Sequence, residues 1–310
     1  MKIYILDAFH EAGIALARQH AEVVCWPDPA IMNWPEEADG VMVRMTPITA
    51  DQIARAKHVK VVCKQGVGVD TIALAAAKLH GIPVCRTPGV NSEAVAEMGF
   101  ALALSVTRRV TRFDRMLRAG AEIVRPRNLG IEMYGKTVGI VGMGNVGTRT
   151  ARKWIGAFDA KVVAFDPHAQ ADTWNDIPHS RVGSLHEMLP QVDLLTLHLP
   201  LTRESRYLIG RKELSMMKPD AVLINVSRGG IVDEKALFES LSKGHLFGAG
   251  LDVFEVEPPP ADHPLLSLPN VVATPHAAGG THDTQERSSL QVAQQVLDVL
   301  AGKTPANRVV

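Results

Sequence analysis

Only three of the 310 residues are cysteine (Cys25, Cys63 and Cys85), and no two of them stand as C-x-x-C. A set so small, odd in number and widely spaced excludes a disulfide framework and a thiolate metal centre, and reads as small buried residues in a reducing compartment. Long apolar runs are also missing, none reaching the roughly 18 residues that a membrane span needs. Met1-Lys2 leads straight into the strand-like Ile3-Tyr4-Ile5-Leu6, without the basic start, apolar core and cleavage site of a secretory leader. Nor does one charge predominate. With 33 basic and 33 acidic side chains, the global field attracts neither nucleic acid nor an anionic membrane. The expectation is a cytoplasmic protein with no nucleic-acid, membrane or metal partner. Low-complexity tracts and internal repeats are absent as well.

What is present centres on Lys136-Thr137-Val138-Gly139-Ile140-Val141-Gly142-Met143-Gly144-Asn145-Val146-Gly147, an apolar strand running into G-x-G-x-x-G. The three glycines serve different ends: Gly142 allows a sharp turn off the strand, Gly144 close approach of a pyrophosphate, and Gly147 tight packing of the next helix. That helix, from about Asn145 and Val146, would aim its unpaired N–H groups at the phosphates. A lone G-x-G-x-x-G is weak. Here a second strand, 161–165, follows and delivers Asp166 nineteen residues after Gly147. A carboxylate there bonds ribose hydroxyls and repels a 2′-phosphate, so the expected cofactor is NAD and not NADP.

Strand and helix patterns alternate along nearly the whole chain, which predicts parallel sheets with helices on both faces. Strands are expected at 3–6, 22–25, 40–43, 59–63 and 83–85, with helices at 11–19, 50–56 and 71–79. A long helix is expected from Ser92 to about Ala119, since Ser92 can cap it and apolar residues recur at helical spacing. Six further strands, 138–141, 162–165, 194–197, 221–225, 248–251 and 271–273, suit a dinucleotide-binding sheet. A last helix, 284–300, should return to the first unit. The expected fold is α/β with two doubly wound parallel-sheet domains. A Rossmann NAD-binding domain (93–278) is inserted in a flavodoxin-like substrate domain made of 1–92 and a returning helix in 279–310.

Chemistry-bearing residues cluster just beyond strand ends, where open parallel sheets bind ligands. Asn225-Val226-Ser227-Arg228-Gly229-Gly230 presents an Arg fork suited to a carboxylate. Leu251-Asp252-Val253-Phe254-Glu255-Val256-Glu257 brings three acids, and Thr274-Pro275-His276-Ala277-Ala278 brings a histidine. Taken alone, Arg228 reads as a turn residue, and His276 is one of 12 histidines. Together with a nicotinamide cofactor they describe reduction of a 2-oxo acid: a carboxylate-paired His supplies the proton, and the Arg polarises the carbonyl and anchors the neighbouring carboxylate.

The motifs G-M-G-N-V-G, N-V-S-R-G-G-I-V-D-E, G-A-G-L-D-V-F-E-V-E-P and T-P-H-A-A-G, in this order, resemble the D-isomer-specific 2-hydroxyacid dehydrogenase family over essentially the whole chain. Val43-Arg44-Met45-Thr46 and Lys64-Gln65-Gly66-Val67-Gly68-Val69-Asp70 are most similar to its D-3-phosphoglycerate dehydrogenase branch. The resemblance implies Arg228 as substrate anchor and Glu257, with Glu255 as a decoy, as partner of the acid–base His276. It also implies Asp252 as a contact to the nicotinamide end, Val226, Ser227 and Ala278 among the cofactor-binding residues, and His198, Pro200 and Thr202 beside the adenine pocket. Arg44, Lys64 and the backbone N–H groups of Gly66, Val67 and Gly68 would bind the substrate. Several positions depart from that branch: Met45 and Lys64 replace Ser and Arg, and Gly99 replaces a hydroxyl residue expected near the cofactor phosphates. The resemblance further implies a homodimer built on the helix after Ser92 and the arm before Tyr134, and no C-terminal regulatory domain after Val310. Extra cations at Arg44 and Lys64, with Lys78 and Arg125 placed near the same end by the resemblance, suggest a second anion on the substrate, as in 3-phosphohydroxypyruvate. The alternatives are a glyoxylate/hydroxypyruvate reductase and a non-enzymatic NAD-sensing protein like the C-terminal-binding co-repressors.

Overall fold

The computed structural model describes all 310 residues, which divide into two compact units: Met1–Asn91 with Gly280–Val310, and Ser92–Gly279. The first unit holds β1 (Lys2–Ile5), β2 (Glu22–Cys25), β3 (Gly40–Val43), β4 (Val61–Lys64) and β5 (Val84–Cys85), all parallel, in the order β2-β1-β3-β4-β5. This is the expected flavodoxin-like winding. β3 and β4 are buried at every position, as strands covered on both faces must be, which is why they read as continuous apolar runs. Helix Ala50–Arg55 starts at a reciprocal cap, the Thr49 side chain accepting from Gln52 N–H while the Gln52 side chain accepts from Thr49 N–H. Helix His282–Leu300, capped by Thr281, buries Ser288, Ser289, Val292, Ala293 and Val296 in this unit. Cys63 and Cys85 are register partners on β4 and β5, both wholly buried, whereas Cys25 is half-buried at the end of β2. Burial pushes the Cys63 thiol well above its ordinary range.

The second unit carries β6 (Thr137–Val141), β7 (Lys161–Phe165), β8 (Ser180–Arg181), β9 (Leu194–Leu197), β10 (Val222–Asn225), β11 (Gly248–Leu251) and β12 (Val271–Ala273). The order β12-β11-β10-β9-β6-β7-β8, all parallel, is a doubly wound Rossmann sheet whose connections reverse direction at β6/β9. β8, only two exposed residues long, is an addition to the six expected strands.

The expected single helix 92–119 is two, Ser92–Thr107 and Val110–Arg118, with Arg109 between them in left-handed backbone at φ 56°. The incoming arm causes the break. Ile131 N–H donates to the Thr107 carbonyl at 2.8 Å, and Arg109 Nε donates to the Leu129 carbonyl at 2.7 Å. The Thr107 carbonyl, which a continuous helix would use for residue 111, is committed to the arm. No helix is long and apolar enough to cross a membrane.

Candidate active site

β6 runs into Gly142, whose φ of 98° favours glycine; a Cβ there would also lie 2.3 Å from the His198 carbonyl oxygen. Helix Asn145–Phe158 follows at once, and a Cβ on Gly147 would sit 2.0 Å from the Gly142 carbonyl oxygen, so helix and turn touch only because residue 147 has no side chain. Gly144 faces open space, with no atom within 4 Å of a Cβ built there. A tight turn, an open face at Gly144 and a helix start whose first N–H groups lack intrahelical partners fit a pyrophosphate. Asp166, just beyond β7, accepts Met143 N–H and His168 N–H, each at 2.9 Å, which fixes its carboxylate beside the glycine turn.

Beyond β9, His198 bonds Thr196 Oγ1 through Nε2 at 3.0 Å, while its Nδ1 is buried without a partner. Although part of the residue reaches the surface, the covered ring strongly disfavours charge, and its pKa is pushed down to about 3. Pro200 and Thr202 shape the next turn: the Pro200 carbonyl accepts Ser205 Oγ at 2.7 Å, and Thr202 N–H donates to Ser205 Oγ at 2.7 Å.

Arg228, Glu257 and His276 follow β10, β11 and β12, three neighbours in one sheet. Asn225 builds the first turn, its Oδ1 accepting from Ser227 N–H and Oγ and its Nδ2 donating to the Arg228 carbonyl. Val226 is buried beneath that turn, and a Cβ on Gly99 would meet Val226 and Ile224 at 3.4 and 4.0 Å. Position 99 therefore faces the core, not the phosphates as expected. His276 Nδ1 lies 2.7 Å from Glu257 Oε2, and Phe254 N–H donates to Glu257 Oε1 at 3.1 Å. Glu255 instead receives the Tyr207 hydroxyl at 2.9 Å. With the His276 and Glu257 side chains 39% and 32% exposed, a small molecule can reach both.

Two expected contacts differ in the structure. Asp252, expected to touch the nicotinamide end, is wholly buried, and its carboxylate accepts Thr274 Oγ1 (2.5 Å), Ala277 N–H (2.9 Å) and Ala278 N–H (2.9 Å). It shapes the turn that carries His276, whose backbone is left-handed at φ 51°. In the first unit the Gly66 N–H, expected to face the substrate, donates to Thr87 Oγ1 at 2.8 Å. Lys64 is only 6% exposed, whereas Arg44 is half-buried after β3. Asp7 holds the Arg44 loop by accepting Arg44 N–H (2.5 Å), Thr46 N–H (3.0 Å) and Thr46 Oγ1 (2.8 Å).

Residues 100–278 match the D-isomer specific 2-hydroxyacid dehydrogenase NAD binding domain. The chain belongs to the D-isomer specific 2-hydroxyacid dehydrogenase family. A D-3-phosphoglycerate dehydrogenase of Methanocaldococcus jannaschii is 37% identical over 99% of this chain, which spans only 59% of that protein's length. A glyoxylate reductase of Korarchaeum cryptofilum is also 37% identical, over 99% of this chain and 95% of that protein. Among solved structures, D-lactate dehydrogenase of Aquifex aeolicus, complexed with NAD and lactic acid, superposes with a TM-score of 0.86 at 27% identity, covering 99% of each chain. Within the family frame, the sequence singled out Asn225 and, at the end of N-V-S-R-G-G-I-V-D-E, Glu234 without giving either a role, and passed over Asp7 and Thr87. Asn225 ends β10 and Asp7 stands two residues beyond β1, positions where Asx side chains commonly bond nearby backbone.

Proposed function

We propose that this family member is an NAD-dependent oxidoreductase that interconverts a 2-oxo acid and its D-2-hydroxy acid. The observation that supports it most is the 2.7 Å contact between His276 Nδ1 and Glu257 Oε2 at the carboxyl ends of adjacent strands, in the unit that matches the NAD binding domain. When bound, the dinucleotide supplies or takes up the hydride at the substrate carbon. A carboxylate only accepts, so His276 carries its hydrogen on Nδ1 toward Glu257 and works through Nε2. In reduction Nε2 gives a proton to the carbonyl oxygen, and in oxidation it takes that proton back. Arg228 binds the substrate carboxylate and draws charge onto the carbonyl oxygen. Asp166 selects NAD over NADP.

His276→Ala tests the core of this reading: turnover should collapse while NADH still binds, and an active variant would refute it. Relatives named for phosphoglycerate and for glyoxylate are equally identical to the chain. We favour a phosphorylated substrate such as 3-phosphohydroxypyruvate because the first unit carries a half-buried cation, Arg44, directly after β3, where the resemblance to the D-3-phosphoglycerate dehydrogenase branch implies substrate binding. The test is kcat/KM for phosphohydroxypyruvate, hydroxypyruvate and glyoxylate in wild type and Arg44→Ala. Equal or better use of the unphosphorylated acids, or equal losses in the variant, favours the glyoxylate/hydroxypyruvate reductase reading. We also propose a homodimer. Leu117 and Leu129 are each 69% exposed and Tyr134 64% exposed along one segment, and a monomer mass in solution would contradict it.

A further inference from the structure

We propose that Glu234 is a positioning residue for the acid–base pair, fixing the loop that carries Glu257. The inference rests on the reading of His276 and Glu257 given above. Glu234 is the first residue of helix Glu234–Ser242, directly after its cap Asp233. An acid in a first helical turn ordinarily faces solvent and the helix dipole. Here both oxygens are turned onto a single neighbouring loop instead. Oε1 accepts Glu255 N–H at 2.7 Å, and Oε2 meets His263 Nε2 at 2.9 Å.

The two contacts bracket Glu257. Residues 252–263, between β11 and helix Pro264–Ser267, contain no strand or helix, so side chains that satisfy their backbone help set their shape beside a few backbone bonds such as His263 N–H to the Pro260 carbonyl. Glu234 and His263 are 17% and 16% exposed, which shelters the clamp from competing water. His263 Nδ1 is buried without a partner, so the ring's one hydrogen belongs on Nε2, aimed at Glu234. The Phe254 ring packs edge-on to His263 at 5.5 Å, and Phe254 N–H is the group that holds Glu257 Oε1. On the other side a Cβ on Gly229 would lie 1.8 Å from the Phe254 carbonyl oxygen, so the turn carrying Arg228 abuts the same peptide. The clamp thus sets where Glu257 meets His276, a contact whose usefulness depends on fractions of an ångström. The other titratable groups on or beside this loop are Asp252 beneath the His276 turn, Glu255 and Asp262 within the loop, Asp233 at the helix cap, Arg228 on the turn that abuts Phe254, and Tyr207 with Arg206 on the outer side.

The test is a double-mutant cycle of Glu234→Ala with Glu257→Gln, reading the pH profile of kcat for 2-oxo acid reduction, the Kd for NADH and the melting temperature. Glu234→Ala should lower kcat about ten- to a hundredfold, shift the alkaline limb toward that of Glu257→Gln, and leave the Kd for NADH unchanged. Added to Glu257→Gln it should cost less than about twofold more, because a residue acting through Glu257 has nothing left to position. Glu234→Gln, which still offers an oxygen to Glu255 N–H but turns its amide N–H onto the hydrogen of His263 Nε2, should recover part of the loss. If Glu234→Ala does not fold, His263→Phe, which keeps a ring against Phe254 but cannot donate, replaces it in the cycle. Multiplicative losses, or a wild-type kcat and pH profile in the clamp variant, would overturn the inference alone. An unchanged pH profile in Glu257→Gln would overturn the acid–base reading and the inference with it.

Discussion

Replacing Asp252 with asparagine separates shaping the His276 turn from touching the cofactor. The carboxylate is wholly buried and takes three donors, Thr274 Oγ1 and Ala277 N–H on one oxygen and Ala278 N–H on the other, while the Asp252 carbonyl takes His276 N–H at 2.7 Å. Asparagine keeps an oxygen for the first two and turns an amide N–H toward Ala278 N–H. Two buried donors then face each other, at a cost of about 1–3 kcal/mol for each left unsatisfied, or about 3 kcal/mol in all. The left-handed backbone at His276 stores about 1–2 kcal/mol more, and with its clamp weakened the turn relaxes away from that conformation. For a unit of this length, about 2–4 °C is lost per kcal/mol. Calorimetry should therefore show melting lowered by about 6–12 °C, and turnover should fall more than NADH affinity. Unchanged melting with weakened NADH binding would refute this reasoning and return Asp252 to the cofactor.

Much of the fold is legible in the sequence because buried parallel strands are short apolar runs bounded by turn residues. β2, β3, β9, β11 and β12 begin and end where the runs do. β8 was not legible, since Ser180 and Arg181 are exposed and bury nothing that would mark them. The broken helix failed for another reason. Periodicity continues from Ser92 through Val110 as though the helix did, and the break comes from the Ile131 N–H and the Leu129 carbonyl, 24 and 20 residues from their partners Thr107 and Arg109.

The candidate site divides along the same line. Gly142, Gly144, Gly147, Arg228, Glu257 and His276 are readable because each function needs a residue type at a fixed distance from a strand end. Side chains that commit such groups elsewhere are not readable. Nothing local to Gly66 says that Thr87 will take its N–H, and nothing local to Asp252 says that Ala277 and Ala278 will fill its oxygens. Local sequence shows which groups stand at a site; which of them are free for a ligand depends on partners brought by the fold.

Three further outcomes follow from the same contacts. Asp166→Ala should narrow the preference for NADH over NADPH by removing the charge that repels a 2′-phosphate, and an unchanged ratio in steady-state assays would remove Asp166 from cofactor choice. Thr87→Val breaks the 2.8 Å bond from Gly66 N–H and the 3.3 Å contact with Ser288 Oγ. The KM for the 2-oxo acid should rise about 2- to 12-fold, the worth of one net hydrogen bond, with Thr87→Ser near wild type; equal behaviour of the two variants would show that the hydroxyl does not hold the loop. His198 gives the chain a specific acid sensitivity. Its pKa is about 3 in the folded state against about 6.5 when unfolded. Between those values the unfolded chain binds more protons, so the stabilisation is complete above about pH 6.5 and is lost toward pH 3, at up to about 1.4 kcal/mol per pH unit. His198→Asn, lacking the titrating ring, should lose about 1 kcal/mol less than wild type between pH 7.5 and 5.5 in urea unfolding. Parallel losses in the two proteins would mean that the ring accepts a proton in the folded state, and that its burial does not exclude charge.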